Sequence, residues 1–234
     1  MTQAPEPQSI AVPSSDFSIS VHHFAEALGE AVDIKDQYTH HHSQEVAVIN
    51  LLIARAIGLD EPSCAAIHIA GHLHDLGKIG VSDQTLQKEG TLTSSEWEEV
   101  RMHPIHGYNI LRQIPGLTAR NGIAEIVLSH HERFSGGGYP YGLQGRDIPL
   151  GARILAVADT ISAMTGQRSY RDSRPWHAVL DEIKRVSGTQ LDPFVVDAFF
   201  TVDRQIHDWL LGESPPLKST SEPLCPPILQ SALS

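Results

Sequence analysis

Cysteine is scarce in this chain: only Cys64 and Cys225 occur, one inside a helical pattern and one near the C-terminus. Such a pair supports neither a disulfide framework nor a thiolate metal site, and a reducing, cytoplasmic setting fits. Positive charge is also in short supply, with 17 Lys and Arg against 28 Asp and Glu and a net charge of −11. No basic stripe is available to neutralise phosphates, which argues against DNA or RNA as a partner. A small anionic ligand is compatible only where the site is locally positive, as bound metal ions would make it. No apolar run approaches the roughly 20 residues that cross a bilayer, and no basic segment leads into an apolar one at the N-terminus. Membrane association is therefore not expected. Strand signals are nearly absent as well, so the expected fold class is all-α.

The chain of 234 residues, 41% of them hydrophobic, reads as a helical body between two tails. Residues 1–18 are rich in Pro, Ser and Gln, and residues 213–234 carry Pro215, Pro216, Pro223, Pro226 and Pro227, so both are expected to be disordered. Residues 19–212 are the expected domain. Within it, Val46, Ile49 and Ile53 recur at helix period, as do Ala66, Ile69, Ala70 and Leu73 after Pro62. Gly77 is expected to stop the second of these helices. Thr93 and Glu96 have capping-box spacing and open a helix that runs through Trp97, Val100 and His103 until Pro104. Further helices are expected around Ile123 to Val127, around Ile154 to Ile161, and after Pro175 and Pro193.

Several polar residues interrupt these apolar faces, where an unpaired polar group is costly. His42 lies in the i, i+4, i+7, i+11 row with Val46, Ile49 and Ile53 and so points inward. His74 and Asp75 sit side by side at the end of an apolar helix, where the imidazole can reach one metal ion and the carboxylate can span two. His103, His130 and His131 follow, and Asp159 stands among Ala156, Val157, Ala158 and Ile161. A buried carboxylate there needs a cation or several donors. Together these five imidazoles and two carboxylates form a nitrogen and oxygen donor set that suits Fe, Mn or Zn and excludes a purely hard calcium site. His22, His23, His40, His41, His68, His72, His177 and His207 are read as ordinary core or surface histidines.

The stretches YTHHHSQEV, HLHDLGKIGVSD, LTSSEWEEVRMHPIHG, HHERFSGGGYPYGLQGRDIPL, ARILAVADTISAM, RSYR and GTQLDP, in that order, resemble the HD-GYP family, a branch of the HD-domain metal-dependent phosphohydrolases. The similarity runs from about Tyr38 to Phe200. It implies an HD-domain helical bundle with a metal centre between the helices and hydrolysis of cyclic di-GMP, giving linear pGpG first and, in some members, GMP. Matched position by position, the family's metal ligands fall on His42, His74, Asp75, His103, His130, His131 and Asp159, with Asp75 as the bridge. Members with a third metal carry Glu where this chain has Tyr38, so the resemblance implies two divalent ions, Fe or Mn. Lys78 matches a lysine placed near the scissile phosphate. Gly138 and Tyr139 match the loop that names the family, and Arg168 and Arg171 match its phosphate-binding positions.

Three departures bear on activity. Ser135 and Ser162 stand where members usually have Asp, and Ser169 stands where they have Pro. The expected ligands are all spared, yet two carboxylates that would orient the loop or contact ligand are gone. A cyclic di-GMP receptor that signals through a partner, and a phosphohydrolase for another cyclic dinucleotide, therefore stand as alternatives. The 20 or so residues before the body are too few for a receiver or sensory domain. Control is then expected through a protein partner, self-association, metal redox state or expression.

Overall fold

The computed structural model describes residues 21–36, 41–166 and 174–213. The two expected tails lie outside these residues apart from Glu213, as do Arg168, Ser169 and Arg171. The described residues form ten α-helices: α1 (Val21–Lys35), α2 (His42–Ile57), α3 (Glu61–Leu73), α4 (Asp83–Leu86), α5 (Ser94–Arg101), α6 (His103–Leu111), α7 (Ile123–Ser129), α8 (Leu150–Thr165), α9 (Trp176–Val186) and α10 (Pro193–Leu210). Among them there is no strand, only an isolated bridge between Ser187 and Leu191. The all-α expectation holds. No helix is long and apolar enough to cross a membrane.

The core is one continuous cluster in which α2, α3, α7 and α8 meet, with α9 and α10 closing one side. The row that sequence periodicity assigned to α2 is the row that is buried: Val46, Ile49 and Ile53 are fully enclosed. On α8, Ile154, Leu155, Ala158 and Ile161 are equally enclosed. A helix apolar around so much of its circumference belongs at the centre of a bundle. α3 starts as expected, with Asp60 accepting from Ser63 N at 3.0 Å and Pro62 in the first turn. The capping box at α5 is complete, since Thr93 and Glu96 each satisfy the other's backbone N–H.

α1 is a helix that sequence periodicity did not single out, and it fastens the neighbourhood of the site. His41, preceding α2, offers no side-chain cap. Asp33 on α1 caps α2 from across the interface, its carboxylate accepting from Ser43 N at 2.9 Å and Ser43 Oγ at 2.8 Å. One orphan N–H of the helix start is thus satisfied by another helix. Lys35, at the end of α1, donates to the carbonyls of Lys78, Ile79 and Val81 at 2.8–3.2 Å. It secures the 3₁₀ turn Leu76–Gly80 that follows the His-Asp pair.

Two boundaries differ from expectation. α5 ends at Arg101 and α6 begins at His103 with Pro104 in its first turn, so His103 opens a helix instead of lying within one. Proline lacks an N–H that a first-turn position does not need, which makes it a helix start here. α3 ends at Leu73, before the His-Asp pair, and Gly77 lies within the 3₁₀ turn instead of ending the helix. Its role is one of packing: a Cβ on Gly77 would stand 1.8 Å from His103 O and 2.5 Å from Gly107 N. Only a glycine lets the turn lie this close to α6.

Candidate metal centre

Seven residues from separate helix ends and one helix middle converge in the core. His42 starts α2, His74 and Asp75 follow α3, His103 starts α6, His130 and His131 follow α7, and Asp159 lies within α8. His42, His74, Asp75, His103 and His130 are buried, while the Asp159 side chain is 23% exposed. His42, His74 and Asp75 place one ligand atom each within 4.8 Å of one another, and His103, His130 and His131 do the same. The Asp75 carboxylate belongs to the first triad and also reaches the second. Its Oδ2 is 3.3 Å from His74 Nε2 and its Oδ1 is 3.3 Å from His103 Nε2. Asp159 Oδ1 closes the group 3.3 Å from His42 Nε2.

Backbone carbonyls set the imidazole tautomers. His74 Nδ1 donates to Gly71 O at 2.8 Å, His103 Nδ1 to Val100 O at 2.7 Å, and His130 Nδ1 to Val127 O at 2.6 Å. In all three the acceptor lies three residues earlier, on the helix or turn that delivers the histidine. A carbonyl can only accept, so each Nδ1 carries a proton and each ring, when neutral, turns the Nε2 lone pair inward. His42 is held differently. Its Nδ1 donates to Ser162 Oγ at 2.9 Å, and Ser162 in turn donates to Glu45 Oε2 at 2.5 Å.

This donor set fits divalent cations. His103 Nε2 and His130 Nε2 face each other at 3.3 Å, two lone pairs with no proton between them once both Nδ1 atoms are spoken for. Burial pushes the His103 imidazole down to about 3 and holds His130 well below its usual value, so neither ring takes up a proton to relieve the repulsion. His74 Nε2 is fully enclosed and makes no hydrogen bond. Burial disfavours charge on His74, yet the adjacent Asp75 carboxylate outweighs it and pushes this imidazole up to about 9. The centre calls for positive charge at both faces of Asp75. Asp75 itself is buried, which opposes its ionisation, but His74 and Lys78 keep it well below the usual carboxylate range.

Lys78 Nζ lies 2.7 Å from both Asp75 Oδ2 and Asp36 Oδ2. Burial works against its charge, and these two carboxylates more than offset that, so its pKa is raised. Beside the centre, a cavity of about 430 Å³ is lined by His131, Asp159, Tyr139, Arg101, Arg133 and Gln190, among others. The Tyr139 ring lies 4.8 Å from the His131 ring, and the Arg101 guanidinium sits over the Tyr139 ring, 4.8 Å from its centre. Gly138 makes a close approach to the chain itself: a Cβ would meet Arg133 N at 2.4 Å and His131 O at 2.6 Å. Glycine at 138 is thus required by packing of the loop onto the His130–His131 corner.

Sequence reading did not single out Arg101, Arg133, Gln190, Asp36 or Glu45. Arg101 and Arg133 stand two residues before His103 and two after His131, and that proximity was the available signal. Ser135 is exposed, and its N–H donates to Thr189 O at 2.9 Å. Phe134 N–H pairs with Gln190 O at 3.0 Å, and Glu132 Oε1 accepts from Tyr141 N at 2.7 Å. The loop is therefore held by backbone pairing and Glu132, with no demand on residue 135. Replacing Ser162 by Ala should free the His42 ring and weaken metal binding by about 10–100-fold, the usual cost of losing a ligand's orienting partner. Competition with a fluorescent chelator measures it, and the fold should survive because only one hydroxyl is removed.

An all-helical bundle with a buried histidine and aspartate centre beside an open cavity defines the class. The HD domain family model matches residues 26–195, and the chain belongs to that family, as its resemblance to the HD-GYP branch implied. A cyclic di-GMP phosphodiesterase of Thermotoga maritima is 39% identical over 183 residues, 78% of this chain and 50% of that one. A 3'3'-cGAMP-specific phosphodiesterase of Vibrio cholerae is 34% identical, over 80% of this chain and 43% of that one. The chain thus spans about half the length of these curated relatives. A solved cyclic GMP-AMP specific phosphodiesterase of V. cholerae superposes with a TM-score of 0.64 over 92% of this chain and 53% of that one. At 18% identity that likeness establishes the shared fold.

Proposed function

We propose that this chain hydrolyses a cyclic dinucleotide, cyclic di-GMP in the first instance, to the linear pGpG, with GMP as a slower second product. The observation that carries the reading is Asp75, whose Oδ2 faces His74 beside His42 and whose Oδ1 faces His103 of the His103, His130 and His131 triad. In this reading His42, His74, Asp75 and Asp159 hold one divalent ion, and Asp75, His103, His130 and His131 hold the other, with Fe or Mn as the metals. Such an ion pair supplies Lewis acidity toward the phosphoryl oxygens and makes water nucleophilic near neutral pH.

The chain's own groups divide the remaining work. Lys78 acts by charge: a lysine whose proton is held by two carboxylates is a poor general acid, but it can offset charge on the phosphate. Tyr139 offers an aromatic face for a guanine, and its burial raises the phenol pKa, so the hydroxyl stays protonated as a donor. Arg101 and Arg133 border the cavity from the described residues, and Arg168 and Arg171 are proposed to add phosphate contacts. Gly138 lets the Tyr139 loop lie against the centre. The Ser162 and Glu45 chain keeps His42 oriented where an aspartate is expected, which favours an enzyme over a receptor that binds without cleavage.

Anaerobic metal analysis combined with chromatography of reaction products tests the proposal. The expected result is about two Fe or Mn ions per chain, as for a binuclear site, and conversion of cyclic di-GMP to pGpG that stops on chelation and returns with metal. Tight binding of cyclic di-GMP without cleavage by fully loaded, reduced protein would establish the receptor instead. Faster cleavage of a hybrid cyclic dinucleotide would reassign the substrate.

A further inference from the structure

A second histidine cluster lies outside this centre. His22, on the first turn of α1, meets His68 and His72 of α3, and one nitrogen from each lies within 4.8 Å of the other two. His68 and His72 are four residues apart and share a face of α3. His72 and His74 are two apart, which at about 100° per residue turns them to opposite sides, so this cluster faces away from Asp75. We propose that His22, His68 and His72 form a separate three-imidazole site for a borderline divalent metal ion, zinc in the first instance, that clamps α1 onto α3.

His68 is prepared as the centre's own histidines are. Its Nδ1 donates to Ala47 O at 2.8 Å, so its Nε2 carries the lone pair, and that Nε2 lies 2.9 Å from His22 Nε2. His72 is 3% exposed, and its Nε2 is enclosed without any hydrogen-bond partner, an unmet demand that a metal ion satisfies. Zinc to nitrogen bonds of about 2.0–2.1 Å set tetrahedral ligand atoms about 3.3–3.4 Å apart. The His22 and His68 nitrogens need to open by only a few tenths of an ångström, and His22, on the first turn of its helix, has room to do so.

A cavity of about 400 Å³ adjoins His72 and is bordered by Glu26 and Glu30. These carboxylates favour a cation near the cluster. The consequence reaches the main centre through α1, whose far end bears Lys35 on the 78–81 carbonyls and precedes Asp36 on Lys78. The site is structural: it secures the helix that secures the turn.

The test titrates the metal-free full chain with zinc, and with Co(II) as a spectroscopic probe, beside His22→Ala and His72→Leu. The full chain is expected to take up one more zinc per chain than either variant, and the variants should bind that equivalent more than about 100-fold more weakly, beyond the loss from a mere supporting partner. The Co(II) spectrum should lose one tetrahedral component while turnover with Mn is retained. The difference of one ion does not depend on how many the Asp75 centre holds, so failure here and failure of the proposed function are distinguishable. Equal zinc uptake in all three proteins would reduce the cluster to hydrogen-bonded imidazoles. If His72→Leu loses its fold, His22→Ala decides, because His22 is partly exposed and its removal opens no core cavity.

Discussion

Asp75→Asn is expected to cut cyclic dinucleotide hydrolysis at least about a thousandfold, roughly 4 kcal/mol of transition-state stabilisation, and to leave less than one metal ion per chain. The substitution keeps size and shape, so no cavity forms and the core that encloses residue 75 should remain. What it removes is the negative charge that faces His74 on one side and His103 on the other, both at 3.3 Å. An amide has one oxygen to offer and an NH₂ group that would point at one of the two triads. Lys78 keeps a carboxylate partner, because Asp36 is also 2.7 Å from it, so the variant should not strand a buried cation. Steady-state kinetics, metal analysis and circular dichroism on the same preparation separate the outcomes. Native metal content and turnover in a folded Asp75→Asn protein would remove Asp75 from the bridging position.

The ligand candidates were legible because they lie on or at the ends of helices with apolar faces, and for His42 and Asp159 the periodicity of the face fixes where the side chain points. His42 follows from its row with Val46, Ile49 and Ile53, and all four are buried. Asp159 follows from its apolar neighbours on α8, although its carboxylate proves partly open to the cavity. Contacts between distant segments were not legible. Asp33 capping α2, Asp36 on Lys78, and Glu45 reaching Ser162 across 117 residues have no local signature, since they depend on which helices become neighbours. Ser162 shows the limit most clearly: as a missing aspartate it suggested a weakened site, yet in the fold its hydroxyl occupies the orienting position on His42. The His22 cluster was missed for the same reason, His22 lying 46 residues from His68 on another helix.

Gly77→Ala should be the most damaging glycine-to-alanine change among the described residues, costing about 3 kcal/mol, the upper end of ordinary overpacking. The added Cβ would lie 1.8 Å from His103 O and 2.8 Å from His103 C, both backbone atoms that cannot rotate aside. To relieve the clash, the 3₁₀ turn and the first turn of α6 must part by more than an ångström. That movement separates Asp75 and Lys78 from His103, so metal affinity should fall together with stability. Gly107→Ala provides the contrast. Its nearest obstacle is Val127 Cγ1 at 3.1 Å, the tip of a side chain that can shift, and its next is Gly77 N at 3.4 Å. The expected cost is below about 1.5 kcal/mol, with metal content preserved. Urea denaturation of the metal-free proteins gives the stability difference, and chelator competition gives the affinity. Equal effects from the two substitutions would mean that the distance between the 3₁₀ turn and α6 does not set the centre. A much larger effect at Gly77 on both readouts ties the shape of one turn to the spacing of the two triads.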